Sequence, residues 1–200
     1  VVTALGKALL DGDYGTRLQA AEALKKLGPQ AVPGIPALIK ALEDETDNVR
    51  EEVLKALAAI GPGARDAVAA LRTVMSSQQE PARGGLAAHA LSKIGPEAGE
   101  AVPALIDVVE GGGRNVYTCV YAAQALGKLG AKAGSAIPAL RRVIDLRGHS
   151  GGADLRIAAA AEALWRLDHE PEAMLRVLAE ELSRREDPAI STNPENGKVR

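Results

Sequence analysis

The side chains best suited to chemistry in this chain are few, and their spacing decides what they can do. His149, Ser150 and Asp154 have the types of a nucleophile, a base and an acid, but they share one Gly-rich stretch, LRGHSGGAD at 146–154. A catalytic triad needs rigid elements to hold its members in register, so this stretch reads as a connector. Gly111 to Gly113 before Arg114 can cradle an anion through backbone amides. No strand pattern precedes them and no Lys-Ser/Thr follows, so they lack the context of a nucleotide-binding loop. The remaining histidines are His89 and His169, far apart in sequence. Cys119 is the single cysteine, which excludes an internal disulfide and a cysteine-built zinc site. No catalytic residue, metal site or cofactor is expected.

Two further sets recur. Asp11 precedes Arg17 by six residues, and Asp44 precedes Arg50 by the same six. A pair that returns with a fixed period is a structural device rather than an acid and a guanidinium set for catalysis. Tyr117 and Tyr121 are four apart, on one face of a helix.

The elements that carry these residues repeat. Four segments end alike: AEALKKLGPQA at 21–31, LKALAAIGPGA at 54–64, AHALSKIGPEA at 88–98 and AQALGKLGAKA at 123–133. A fifth, AEALWRLD at 161–168, has Asp168 in the place of the glycine. Between them lie IPALIKAL from Ile35, VAALRTVM from Val68, VPALIDVV from Val102 and IPALRRVI from Ile137. A period in the mid-thirties signals a stack of small units, none of which can bury its apolar face alone. Each unit reads as a helix A opened by proline and a helix B closed by Gly-Pro. In the second unit, A is expected from Pro33 to Asp44 and B from Asp47 to Ile60, with Asp47 as its cap.

Composition agrees. Among 200 residues, hydrophobic types are 46% but aromatics only 2%, while Ala (38) and Leu (24) dominate. Small side chains let helices approach closely. The net charge of -2 leaves no basic excess for a phosphate backbone, so nucleic-acid binding is not expected. No apolar run approaches the roughly 20 residues of a membrane span. The lone thiol fits a reducing, cytoplasmic compartment. The chain opens at Val1 without Met and reads as a fragment or processed product.

The Ala-x-Ala-Leu-x-x-Leu/Ile-Gly-Pro endings, the Val/Ile-Pro-Ala-Leu openings and the Asp-to-Arg spacing of six resemble the HEAT-repeat family, in particular its short bacterial, phycobilisome-lyase-like type. The resemblance covers residues 1 to about 185. It implies an all-α, right-handed solenoid of about five helix pairs, with units near 1–30, 31–63, 64–97, 98–132 and 133–169. A capping helix at 171–186 and a tail or linker at 187–200 follow. Trp165 is expected to close the stack against that last helix. The resemblance also implies that Asp11, Arg17, Asp44 and Arg50 belong to a ladder between successive repeats, continued by Arg83 and Arg156 and broken at Thr118 and Cys119. The di-iron hydroxylases built on such repeats hold several His-Glu pairs, whereas only His169-Glu170 occurs here. The family name suggests a bilin lyase as the enzyme alternative, with Tyr117, Tyr121, His89, Lys93 and Lys128 supplying part of a pocket.

In such a stack the B helices form the usual binding face. Its stripe reads Gln19, Glu22, Lys26; Glu52, Lys55, Ala59; Leu86, His89, Lys93; Tyr121, Gln124, Lys128; and Ala159, Glu162, Arg166. Units three and four bring together Leu86, His89, Lys93, Tyr117, Tyr121, Gln124 and Lys128, a mixture that suits a protein or peptide partner. The expected role is a scaffold or adaptor; the alternatives are a small-molecule lyase and a passive spacer.

Overall fold

The computed structural model describes residues 1–77, 81–111, 116–145 and 155–169, together with the single positions 171, 175 and 179. Every regular element among them is helical. The A helices are α1 (Val2–Asp11), α3 (Ile35–Ala41), α5 (Val68–Ser76), α7 (Val102–Glu110) and α9 (Ile137–Asp145). The B helices are α2 (Tyr14–Leu27), α4 (Asp47–Ile60), α6 (Pro81–Ile94), α8 (Val116–Leu129) and α10 (Leu155–Asp168). All five B helices have 14 residues. The seven-residue link from B to the next A is equally constant. The lengthening of the period therefore falls between A and B, at one edge of the stack.

The B helices end where the glycines fall. Gly28, Gly61, Gly95 and Gly130 have φ of 52°, 68°, 69° and 57°. The ψ values of -126° at Gly28 and -135° at Gly61 lie outside the left-handed helical basin. That corner of backbone space is accessible only without a Cβ. The chain then enters a 3₁₀ segment instead of helix A directly. In the second unit this segment spans Gly28–Gly34, so Pro33 lies within it and α3 begins only at Ile35. Non-helical turns at Ala64, Ala98 and Ala133 divide the later segments into shorter pieces, as expected for geometry that tolerates few consecutive residues. The fifth unit differs: α10 runs through Asp168, and His169 takes the positive φ of 55°. Asp168 accepts a 2.7 Å hydrogen bond from Arg141.

Each B helix packs on its own A helix and, more extensively, on the next B helix, whereas successive A helices touch less. The seam is built from buried Ala20-Ala21, Ala87-Ala88, Ala122-Ala123 and Ala160-Ala161, with the larger Val53-Leu54 in the second unit. The repeated leucines Leu24, Leu57, Leu91, Leu126 and Leu164 are buried beneath it. Leu38, Leu71, Leu105 and Leu140 meet them from the A side. The core is thus one continuous apolar column.

Two polar features fix the start of the column. Asp13 caps α2 by accepting the Thr16 amide at 2.7 Å, and this bond holds the Asp13 carboxyl below its usual range. Arg17 crosses from the first unit to the second. Its Nε lies 2.8 Å from Asp44 Oδ2, its Nη1 donates to Gly12 O at 3.2 Å, and its Nη2 reaches Glu45 and Thr46. The hydrogen bond to Asp44 is the main reason the guanidinium is held more firmly protonated than usual. Arg50 donates to the Asp44 carbonyl and pairs with the Asp47 carboxylate. Asp47 is the first residue of α4 rather than its cap. Thr46 holds the cap position, but its side chain does not cap the helix, and Asp44 accepts the Thr46 amide at 2.9 Å. Asp11 is exposed. In the fourth unit Thr118 and Cys119 are buried, Cys119 facing Val108 O and Thr118 lying close to Gly84 and Gly85 of α6. Arg17→Leu should remove the bridge between the first two units. The amides of α1 and α2 should then exchange with deuterium faster than those of α6 and α8, while the latter remain as in the native chain.

The cap expected at 171–186 and the tail at 187–200 lie outside the described residues, apart from the three single positions. So does the helix against which Trp165 is expected to close the stack; Trp165 itself is exposed.

Candidate functional site

The B helices place the expected stripe at the surface at every position but one. Ala159 is buried, because α10 lies so close to α8 that this small side chain becomes part of the seam. Leu86 and Tyr121 are half-buried and pack partly on the core. Tyr117 stands out at 61% exposure. The ring pairing across the seam joins Tyr121 to His89, with centroids 4.8 Å apart and planes at 45°. That contact bridges α6 and α8. It is an aromatic pairing of ordinary favourable geometry.

Beyond this ring pair, the face divides electrostatically. In the second unit the acid of the stripe is fully engaged, whereas Glu22 and Lys26 of the first unit have no ion pair among the described residues. Glu52, only 14% exposed, accepts from Lys55 at 2.7 Å and also pairs with Lys25 of the preceding unit. Burial alone would raise the Glu52 carboxyl, but the two lysines outweigh it and hold it below the usual range. The Glu52 hydrogen bond in turn raises Lys55.

From unit three onward the balance changes. Lys93 and Lys128 follow one another along the same row, and neither has a carboxylate within ion-pair distance among the described residues. Lys128 is held below its usual range by burial first, then by Lys93 and Arg166, with Glu162 opposing. His89 is depressed by burial, with Lys93 and Lys128 adding to the effect. Glu162 is engaged by Arg166, whose Nη2 and Nε lie 2.8 and 3.2 Å from its Oε1.

A groove of about 190 Å³ opens here, lined by Gln124, Lys128, Ala159, Glu162, Ala163 and Arg166. The patch expected on units three and four therefore continues onto unit five. Gln124 and Lys128 line the groove itself; Leu86, His89, Lys93 and Tyr121 lie on the two B helices before it. The contribution of Glu162 and Arg166 was legible only as part of the general stripe. The signal that marks Arg166 is the row two residues after each B-helix leucine, Lys26, Ala59, Lys93, Lys128 and Arg166, which contains no acid.

The two pKa depressions differ in kind, and this gives a pH prediction. His89 has a folded pKa below its unfolded value of 6.5, so its contribution to stability is present above that pH and declines as pH falls below it. Glu52 has a folded pKa below 4.5, so its contribution is present above 4.5 and is lost as pH falls through the folded value. Urea midpoints measured against pH should fall in two stages. His89→Gln should flatten the first stage and Glu52→Gln the second.

Among the described residues no group of three or more His, Cys, Asp or Glu is placed to hold a metal ion. No helix among them is long and apolar enough to cross a membrane. Residues 112–115 and 146–154, with Arg114, His149, Ser150 and Asp154, lie outside the described residues.

The HEAT repeats family matches residues 2–85 and 35–116, and the PBS lyase HEAT-like repeat family matches residues 119–145. The chain belongs to the HEAT-repeat family. No curated protein matches it. Solved structures that resemble this HEAT-repeat chain include an engineered protein, at 22% identity and a TM-score of 0.63, covering 98% of this chain and 90% of that one. The complex of CpcE and CpcF of phycocyanin lyase from Nostoc sp. PCC7120 matches at 26% identity and a TM-score of 0.67, covering 86% of this chain and 67% of that one. A designed armadillo repeat protein in complex with the peptide (KR)4 matches at 18% identity and a TM-score of 0.64, covering 86% and 81%. The architecture is that of an α-solenoid repeat scaffold.

Proposed function

We propose that this chain is a binding scaffold that seats a protein or peptide on its B-helix face, across units three to five. The observation that carries the reading is the surface formed by α6, α8 and α10. There the His89–Tyr121 ring pair, the lysines Lys93 and Lys128, and the groove beside Gln124 and Arg166 lie on successive units. Rings and long polar side chains on a rigid support are the usual anchors of a protein interface. The similarity to a designed repeat protein in complex with a peptide, and to a lyase complex of two subunits, agrees with a protein partner.

The phycocyanin lyase similarity also supports the enzyme alternative. Of the residues which that reading would use, Tyr117, Tyr121, His89 and Lys93 are not among those that line the groove. A shift in visible absorption on mixing with a bilin would favour the lyase reading. A passive spacer, in contrast, would tolerate charge reversal anywhere on the B-helix face.

The test is Tyr121→Ala combined with Lys128→Glu. Partner capture from lysate should be lost, while helicity and the melting temperature stay nearly unchanged. If the double variant melts markedly lower, these side chains are packing groups and the assignment of the site fails.

A further inference from the structure

The partner's chemistry can be read from the division of charge along the face. In unit two, Glu52 pairs with Lys55 and with Lys25 of unit one, and Ala59 leaves the row without a cation there, so Lys26 stands apart from the later lysines. In units three and four, Lys93 and Lys128 are on neighbouring B helices with no carboxylate paired to either among the described residues. Arg166 of unit five extends the row, with its charge shared by Glu162. This arrangement is self-repulsive in the free protein: Lys93 opposes the protonation of both His89 and Lys128. Bringing negative charge to the row relieves that repulsion.

We propose that the occupant is an acidic, extended segment of a partner protein, with carboxylates on Lys93 and Lys128 and an apolar side chain against the His89–Tyr121 rings. This rests on the binding reading above and narrows it. The spacing favours a chain over a small anion. Closely packed helix axes lie about 8–10 Å apart, so cations on successive units form a series of separate points rather than one cradle. A peptide in the extended polyproline II conformation advances about 3.1 Å per residue with three residues per turn, so acids three residues apart share one face and keep step with the units. The groove between α8 and α10 continues the track past Lys128. Glu162 there, engaged by Arg166, can release its partner to an incoming carboxylate.

Three fluorescein-labelled peptides of about nine residues test this by fluorescence anisotropy, with Glu, Gln or Lys at every third position and Ser and Leu between, so that the varied side chains share one face of an extended polyproline II chain. The Glu peptide should bind the native chain about tenfold or more tightly than either of the others, and less tightly as salt is raised. Lys93→Glu with Lys128→Glu should abolish that preference or transfer it to the Lys peptide, with the circular dichroism spectrum unchanged. Lys93→Gln with Lys128→Gln should weaken the Glu peptide without creating affinity for the Lys peptide. If the Gln or Lys peptide binds the native chain as well as the Glu peptide, and Tyr121→Ala weakens it, the acidic partner is wrong while the B-helix site stands. If none of the three binds, the acidic-segment proposal falls. The binding face itself falls only if the double variant Tyr121→Ala and Lys128→Glu also keeps its partner in capture.

Discussion

Leu57→Ala is expected to lower the free energy of unfolding by about 2–5 kcal/mol. Leu57 is fully buried in α4, a B helix with a neighbouring B helix on either side. Removing its branched end takes away apolar burial and leaves a cavity that the flanking alanines are too short to fill. The loss acts on two inter-unit contacts, because in a stack each unit is held only by its neighbours. Urea unfolding followed by helical circular dichroism should show the change in midpoint. A loss of cooperativity, with the transition broadening or splitting, would show in addition that the first units have separated from the rest. A change below about 1 kcal/mol would mean that the column relaxes around the site far more freely than a close-packed core does.

Gly127→Val is expected to be the second most damaging change, by about 1–3 kcal/mol. Gly127 faces α10, and a Cβ built on it would lie 3.1 Å from the Ala163 Cα and 3.1 Å from the Arg166 Cδ. The arginine stem can swing away, but the Ala163 backbone cannot move without shifting α10. Alanine at the same position meets the same close contact but gains up to about 1 kcal/mol of helix propensity over glycine, so Gly127→Ala should be close to neutral. Valine adds two γ-methyls at the same crossing and gains less propensity. Thermal melts of the two variants side by side separate the effects. Because Ala163 and Arg166 also line the groove, Gly127→Val should weaken partner binding as well.

Much of this architecture was legible because its determinants are local and repeated. The glycines that stop the B helices, the prolines that open the A helices and the periodic leucines each act within one unit. What the sequence hid depends on neighbours. The 3₁₀ links were absorbed into helix A, because a Pro such as Pro33 suits the start of either element. The Lys25–Glu52 bond joins residues 27 apart in different units, so the stripe alone gave no sign of it. That Tyr121 meets His89 of the preceding unit follows from the register of α6 on α8. Ala159 was expected at the surface, and only the closeness of α8 and α10 buries it. The end of α10 shows the same limit. Asp168 occupies the aligned place of a glycine, yet the positive φ moves one residue on, to His169.

The central claim is that a partner sits on the B-helix face of units three to five. Its most direct test is site-specific photo-crosslinking in lysate. A benzoylphenylalanine would replace Gln124, on the lip of the groove, or Arg72, exposed on the A helix α5. The account predicts a discrete adduct from position 124 and none from position 72. An adduct from position 72 alone, or no adduct from position 124 while the chain still captures its partner, would contradict it.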